Sequence, residues 1–316
     1  MNHGVKILLC CIALAAVVGA SILLWEKNGK PNTFPREAGE RLSVAATVYP
    51  LAEFARAVGG DAVMVTGIVP AGVEPHEYEP TPRDILTAYR ADIFLSNGAG
   101  IDAWAEKISQ ELENRGIAAV TMAAVIGVSP RTTDGGTIAD PHFWLDPVWA
   151  QQEIVAIRDA LIARDPTHAD LYARNADQYV TELAALDTAY RTGLRRCQLH
   201  TIATSHDAFA YLAKRYGFEV ISVSGMSPEA EPSPRTLAGI TRTVRTLGLR
   251  HIFFETLSSP RVAQTLAEEV GAQTLVFNPL EGLTDEERQA GKNYMSIMYD
   301  NLDNLRTALR CQVGQL

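Results

Sequence analysis

From Leu42 onward the chain alternates short apolar runs with longer amphipathic stretches, and this rhythm limits the fold more than any other property. Val44-Ala45-Ala46-Thr47-Val48 reads as a strand that stops at Tyr49-Pro50, with a helix through Leu51–Ala55 after it. A strand at Val63–Ile68 follows, then the loop Pro70–Pro82, a helix from near Arg83, and a strand at Ile93–Leu95 that ends in the turn Asn97–Gly100. The second half repeats the pattern. Strands are expected at Thr201–Thr204, Glu219–Val223, His251–Phe254 and Thr274–Phe277, and helices at Ala208–Tyr216, Arg235–Leu247 and Pro260–Val270. Strands that alternate with helices at this spacing predict an α/β fold of parallel sheets flanked by helices.

Between the halves, Thr167–Thr192 contains neither Gly nor Pro. Its apolar positions Tyr179, Leu183, Leu186, Tyr190 and Leu194 recur every three or four residues, one face of a helix. A helix of ~26 residues would be ~39 Å long. We expect a rigid rod joining two lobes: residues 43–166 as the N-terminal α/β lobe, 167–195 as the linking helix and 196–316 as the C-terminal α/β lobe.

The N-terminus sets the compartment. Ile7–Trp25 carries no charge, with Lys6 before it and Glu26 and Lys27 behind. The small residues Val18-Gly19-Ala20 suit a signal peptide, and the apolar run is also long enough for a membrane anchor. Either way, residues 1–25 send the remainder across a membrane, and residues 26–42, rich in Pro, Gly and charge, read as a flexible tether. An extracytoplasmic location makes a disulfide between Cys197 and Cys311 plausible, the alternative being two separate thiols. The net charge of −9, from 28 Lys+Arg against 37 Asp+Glu, argues against a nucleic-acid partner.

Three of the seven histidines share a setting. His76 lies in PHEYEP after a strand, His142 in DPHFWLDP before a helix, and His206 in TSHDAF at a strand-to-helix junction. Carboxyl ends of strands are where open α/β sheets form their ligand crevice, and imidazole is the commonest protein metal ligand. Singly, each histidine is more simply a solvated loop residue; their common placement suggests a site assembled between lobes. Glu281, in FNPLEG after the last strand, can add a carboxylate, and three imidazoles with one carboxylate suit zinc. His3, His168, His200 and His251 read as structural or solvent-facing, with Asp165 or Thr167 as a cap for the long helix. Glu255 either orients a histidine from behind or simply ends a strand.

The motifs PHEYEPTPRD, DPHFWLDP, TSHDAFAYLAKRYG, PEAEPSPRTL and FNPLEGL, with NYMSIMYDNLDNL beyond, resemble the metal-binding solute receptors of ABC importers, the zinc/manganese group typified by ZnuA-like and TroA-like proteins. The resemblance spans about Leu42 to Cys311. It implies two α/β lobes bridged by one long helix with a single metal in the cleft between them, held by His76, His142 and His206. Many relatives have an Asp where this chain has Asn278; a branch with the same NPLE sequence uses its Glu, which matches Glu281 and leaves Asn278 as an outer partner. The stretch Val128–Ala139 is short and lacks the histidines many zinc receptors carry there. Manganese members resemble the chain but place a carboxylate at the third ligand; with His206 the donor set is nitrogen-rich and suits Zn²⁺.

The resemblance thus implies a monomeric, non-enzymatic zinc receptor, periplasmic or membrane-tethered, that hands Zn²⁺ to an ABC permease. A receptor for manganese or another divalent metal and a surface adhesin are the alternatives. A zinc hydrolase, with Asp207 or Glu255 as general base, is disfavoured because a fourth protein ligand would close the position a reactive water needs. Because the rod restricts hinge closure, release is expected through loop movement around His142 and Glu281.

Overall fold

The computed structural model describes residues 40–128, 131–133, 136–228 and 232–312. The apolar N-terminal run and nearly all of the tether lie outside them, as do parts of the Val128–Ala139 stretch and of the PEAEPSPRTL motif. No helix among the described residues is long and apolar enough to cross a membrane.

Two four-stranded parallel sheets form the framework. The first contains β1 (Leu42–Ala46), β2 (Val63–Gly67), β3 (Ile93–Ser96) and β4 (Ala118–Thr121) in the order β2-β1-β3-β4. A small antiparallel hairpin, β5 (Arg131–Thr133) and β6 (Gly136–Ile138), follows it. The second sheet contains β7 (Thr201–Thr204), β8 (Glu219–Ser222), β9 (His251–Phe254) and β10 (Gln273–Val276). Its order, β8-β7-β9-β10, repeats that of the first. In each sheet the chain leaves the first strand to one side and then returns to the other, so each has a switch point, between β1 and β3 and between β7 and β9.

The helices are α1 (Tyr49–Gly59), α2 (Pro82–Arg90), α3 (Ala103–Asn114), α4 (Met122–Ile126), α5 (Pro147–Arg164), α6 (Ala169–Gly193), α7 (Ala210–Tyr216), α8 (Pro234–Leu247), α9 (Arg261–Val270), α10 (Asp285–Gln289) and α11 (Tyr294–Ala308). Several of their starts are written in the sequence. Thr81 and Asp84 form a reciprocal capping box ahead of Pro82, and the Asp146 carboxylate accepts from Val148 N at 2.9 Å ahead of Pro147. Most expected strands and helices are present with ends moved by one or two residues. The first strand is displaced by two because Thr47 and Val48 already turn toward α1. The stretches containing β4, α3 and α5 are elements the sequence pattern did not single out.

The long helix is α6, preceded by a 3₁₀ turn at Pro166–His168. Leu183, Leu186 and Tyr190 of the expected apolar face are buried. The helix packs along α1, α5 and α11, so it is a spine covered on one side rather than a bare rod. Neither Asp165 nor Thr167 caps it through a side chain: the N-cap position belongs to His168, and the Asp165 carboxylate instead accepts from His168 Nδ1 at 2.7 Å and Tyr172 Oη at 2.8 Å. One large apolar cluster runs from β1 and α1 through α5 and α6 to α7 and α11, joining the lobes through a continuous core. Cys197 and Cys311 form a disulfide that ties the end of α11 to the segment after α6.

Glu153 on α5 lies inside this core, and among the described residues neither of its carboxylate oxygens has a hydrogen-bond partner. Burial alone pushes its carboxyl well above the usual range. An acid that is neutral when folded but ionises when unfolded withdraws stability as pH rises from ~4.3 toward its folded value, at about 1.4 kcal/mol per pH unit. Thermal melts should therefore show Glu153→Leu more stable than the parent, with a gain that grows between pH 5 and pH 7. A gain that is absent or shrinks with pH would show that the Glu153 carboxyl is not held neutral.

Candidate metal centre

The four candidate residues arrive from four loops. His76 lies on the segment between β2 and α2; its backbone N–H donates to Glu74 Oε1 at 3.1 Å. His142 opens the 3₁₀ turn Phe143–Leu145 that leads into α5. It follows β6 of the hairpin rather than a strand of the parallel sheet, so the expectation that it sits at such a strand's carboxyl end is corrected. The Asn97 side chain, just past β3, donates to Pro141 O at 3.1 Å and brings His142 to the same end of the sheet. His206 follows β7 directly, beside the switch point of the second sheet.

Glu281 stands five residues beyond β10. Asn278 builds the turn that aims it inward. Its Oδ1 accepts from Leu280 N at 2.7 Å, while its Nδ2 donates to Thr256 Oγ1 at 3.0 Å and Glu287 Oε1 at 2.8 Å. Leu280 takes a positive φ of 59°. With both side-chain ends engaged, Asn278 supports the turn and offers no free donor to the centre.

The donor atoms of His76, His142, His206 and Glu281 all lie within 4.8 Å of one another. His142 Nε2 is 3.1 Å from His76 Nε2 and 3.4 Å from His206 Nε2. Glu281 Oε1 is 3.2, 3.0 and 3.3 Å from the Nε2 atoms of His76, His142 and His206. A tetrahedron whose centre lies 2.0–2.1 Å from each corner has edges of about 3.3 Å, and zinc–nitrogen and zinc–oxygen bonds have that length. Five of the six edges of the cluster, all but that between His76 and His206, thus match the length a tetrahedral ion requires. Asp207, the alternative general base, is not one of the four.

Carboxylates behind two of the imidazoles set their orientation. Asp140 Oδ1 accepts from His142 Nδ1 at 2.9 Å and from its backbone N–H at 3.0 Å. Glu255, just past β9 and across the switch point from β7, accepts from His206 Nδ1 at 2.6 Å, from His206 N at 3.2 Å, and from the Ser205 hydroxyl. Glu255 therefore ends a strand and orients a histidine at once. Such contacts fix the ring so that Nε2 faces the centre and make it more basic. Sequence reasoning named Glu255 but not Asp140, although the Asp-x-His spacing in DPHFW was available as a signal.

Burial and charge compete here. Burial alone would lower His142 and His206, but Asp140 and Glu281 hold His142 above its ordinary pKa, and Glu255 and Glu281 hold His206 well above. Burial would raise Glu281; hydrogen bonds from His142, His206 and His76 instead hold it well below the carboxylate range. Glu74 is pushed up to about 9 by burial and then by the Glu281 charge. Exposure is uneven: His76 is 9% exposed, against 0% for His142 and 1% for Glu281. The expected mobile pair, His142 and Glu281, is thus the better enclosed, and solvent reaches the centre at His76.

The family model described as zinc-uptake complex component A, periplasmic, matches residues 44–308. The chain belongs to this ZnuA family. It is 34% identical to the high-affinity zinc uptake system protein ZnuA of Bacillus subtilis over 97% of each chain. It is 36% identical to the zinc-binding lipoprotein AdcA of Streptococcus pneumoniae over 86% of this chain, but spans only 56% of that protein. The crystal structure of the Zn(II)-bound ZnuA-like domain of that AdcA superposes with a TM-score of 0.75 at 36% identity, covering 85% of this chain and 99% of that domain. The ZnuA family is one of solute-binding receptors, and the two lobes seen here have its architecture.

Proposed function

We propose that the chain is the extracytoplasmic zinc receptor of an ABC importer, capturing Zn²⁺ through His76, His142, His206 and Glu281 and delivering it to the membrane permease. We read residues 43–166 and 196–316 as the two lobes that carry these donors, with 167–195 as the spine, and the receptor as a monomer. The observation that carries the reading is the donor set itself: three Nε2 atoms and one carboxylate oxygen within 4.8 Å of one another, five of their six separations at 3.0–3.4 Å. Three imidazoles favour zinc over the harder manganese ion, and a fourth protein donor leaves no open position for a reactive water. The role is therefore binding rather than catalysis. A strain lacking this protein should grow poorly when zinc is limiting. The parent chain should restore growth and His142→Ala should not; equal rescue by both would overturn the reading.

Zinc must displace protons from the raised histidines. At pH 7 we expect about one to two protons released per zinc bound. Apparent affinity should begin to fall above pH ~6.5 as pH is lowered, since both histidines take up protons earlier than a free imidazole. Calorimetry in buffers of different protonation enthalpy measures the release directly, and no release at pH 7 would contradict the charge balance of the site.

The stability of the metal-free form runs the other way. Histidines with raised folded pKa values stabilise it fully below ~6.5, and that contribution is lost as pH rises through those values. Glu281, with a lowered pKa, stabilises it above ~4.3, and this is lost as pH falls through its folded value.

A further inference from the structure

The segment between β2 and α2 is joined to the turn that carries Glu281. Gly72 N–H donates to Leu283 O at 3.0 Å, and a Cβ on Gly282 would lie 3.8 Å from Val73 O. This contact sets Glu74 against Glu281. Glu74, two residues before His76, uses Oε1 to accept from the His76 N–H at 3.1 Å. Its Oε2 is buried and, among the described residues, has no hydrogen-bond partner. The same holds for Glu281 Oε2, the oxygen of that carboxylate that the three imidazoles leave free. The two carboxyl groups lie within hydrogen-bond reach of each other. Glu74 is not one of the four clustered donors, and it is partly exposed where Glu281 is 1% exposed.

An ionised carboxylate only accepts, so two that face each other away from water require a proton or a cation between them. The imidazoles meet this need for Oε1 of Glu281 and leave it unmet on the Oε2 side. A dication between the pair is neutralised by two unit charges before any imidazole is bonded. Without the pair, it must shed its water against His76, the one donor that solvent touches. Zinc takes carboxylate oxygens as well as imidazole nitrogens as donors.

We propose that Glu74 and Glu281 together form a transit position through which zinc enters and leaves the centre. The proposal rests on the zinc reading above. The step is a ligand exchange in which no electrons move. Water on the ion gives way to the two Oε2 atoms, and the proton that Glu74 holds in the metal-free form passes to solvent. The bond to Glu74 is then replaced by bonds to the Nε2 atoms, as Glu281 changes its bonded oxygen from Oε2 to Oε1.

Glu74→Gln separates a transit role from a structural one. Glutamine keeps the shape, the acceptor for the His76 N–H and a donor toward Glu281, but not the charge. Stopped-flow exchange of zinc between the purified protein and a chromophoric chelator reads both directions. Association should slow about tenfold or more, and dissociation should slow as well, so that Kd moves less than either rate. Glu74→Asp keeps the charge and should recover most of both rates. Faster dissociation from Glu74→Gln would show that Glu74 only stabilises the bound ion. Unchanged rates, or an Asp variant no faster than the Gln variant, would show that its charge takes no part in exchange. Each of these results would overturn the proposal, whereas failure of the parent chain to bind zinc would overturn the zinc reading instead.

Discussion

Replacing His206 by alanine should weaken zinc binding by about 10²–10³-fold. Zinc held by four protein donors in small folded sites is bound by roughly 10–16 kcal/mol, so one donor carries about 2.5–4 kcal/mol if the share is even. His206 is fully buried, with Nε2 3.3 Å from Glu281 Oε1, so no solvent route lets another side chain take its place. Its loss also leaves Glu255 without its imidazole partner in a buried setting. Glu255→Gln keeps the donor but weakens its orientation, and should cost about 10–100-fold. His168→Ala should change nothing, since that imidazole pairs with Asp165 at the start of α6 and its side chain is 48% exposed. Competition against a chromophoric chelator reads all three variants, and a loss below threefold for His206→Ala would remove it from the donor set.

Trp144→Ala should destabilise the fold by about 3–5 kcal/mol, the range for truncating a large buried aromatic. Trp144 is fully buried beside His142, with ring centroids 5.3 Å apart. Its indole N–H donates to Pro279 O at 2.8 Å, and its carbonyl accepts from Tyr294 Oη at 2.6 Å. These bonds join the His142 turn of the first lobe to the Glu281 turn and α11 of the second. Truncation should therefore lower zinc affinity as well as Tm, although Trp144 does not touch the ion. Trp144→Phe keeps most of the volume but not the N–H, and leaves Pro279 O without its donor. It should retain most of the stability while still loosening the zinc site. Denaturant unfolding and zinc competition on both variants separate the two effects; a Trp144→Ala protein of parental stability would show that the lobes do not depend on this contact.

Much of this architecture was legible because it follows from local pattern. Alternating apolar runs marked seven of the eight parallel strands, and the Gly- and Pro-free stretch marked α6. β4 escaped because Ala118-Ala119-Val120-Thr121 is short, half-buried and only weakly apolar. The buried positions of α5 follow one face, but the charged Glu153 sits on it and the apolar Val155, Ala156, Ala160 and Ile162 lie off it, so its sequence shows no clear amphipathic period. The junction setting of His76 and His206 was readable, whereas the route of His142 through the β5–β6 hairpin was not, because a strand of three residues leaves little signal. What sequence could not supply was the convergence. That Asp140 meets His142, that Glu255 faces His206 across the β7–β9 switch point, and that Asn278 turns Glu281 inward are results of topology, visible only once the strand order is known.

The central claim is that one zinc ion is held by His76, His142, His206 and Glu281 together. An anomalous difference map from crystals of the zinc-loaded protein, recorded on both sides of the zinc absorption edge, tests it most directly. A single strong peak is expected about 2.0–2.1 Å from each of the three Nε2 atoms and from a Glu281 carboxylate oxygen, with Asn278 out of reach. A peak bonded to Asn278 in place of Glu281, a peak lacking any one of the three imidazoles, or zinc bound elsewhere with this centre empty would contradict it.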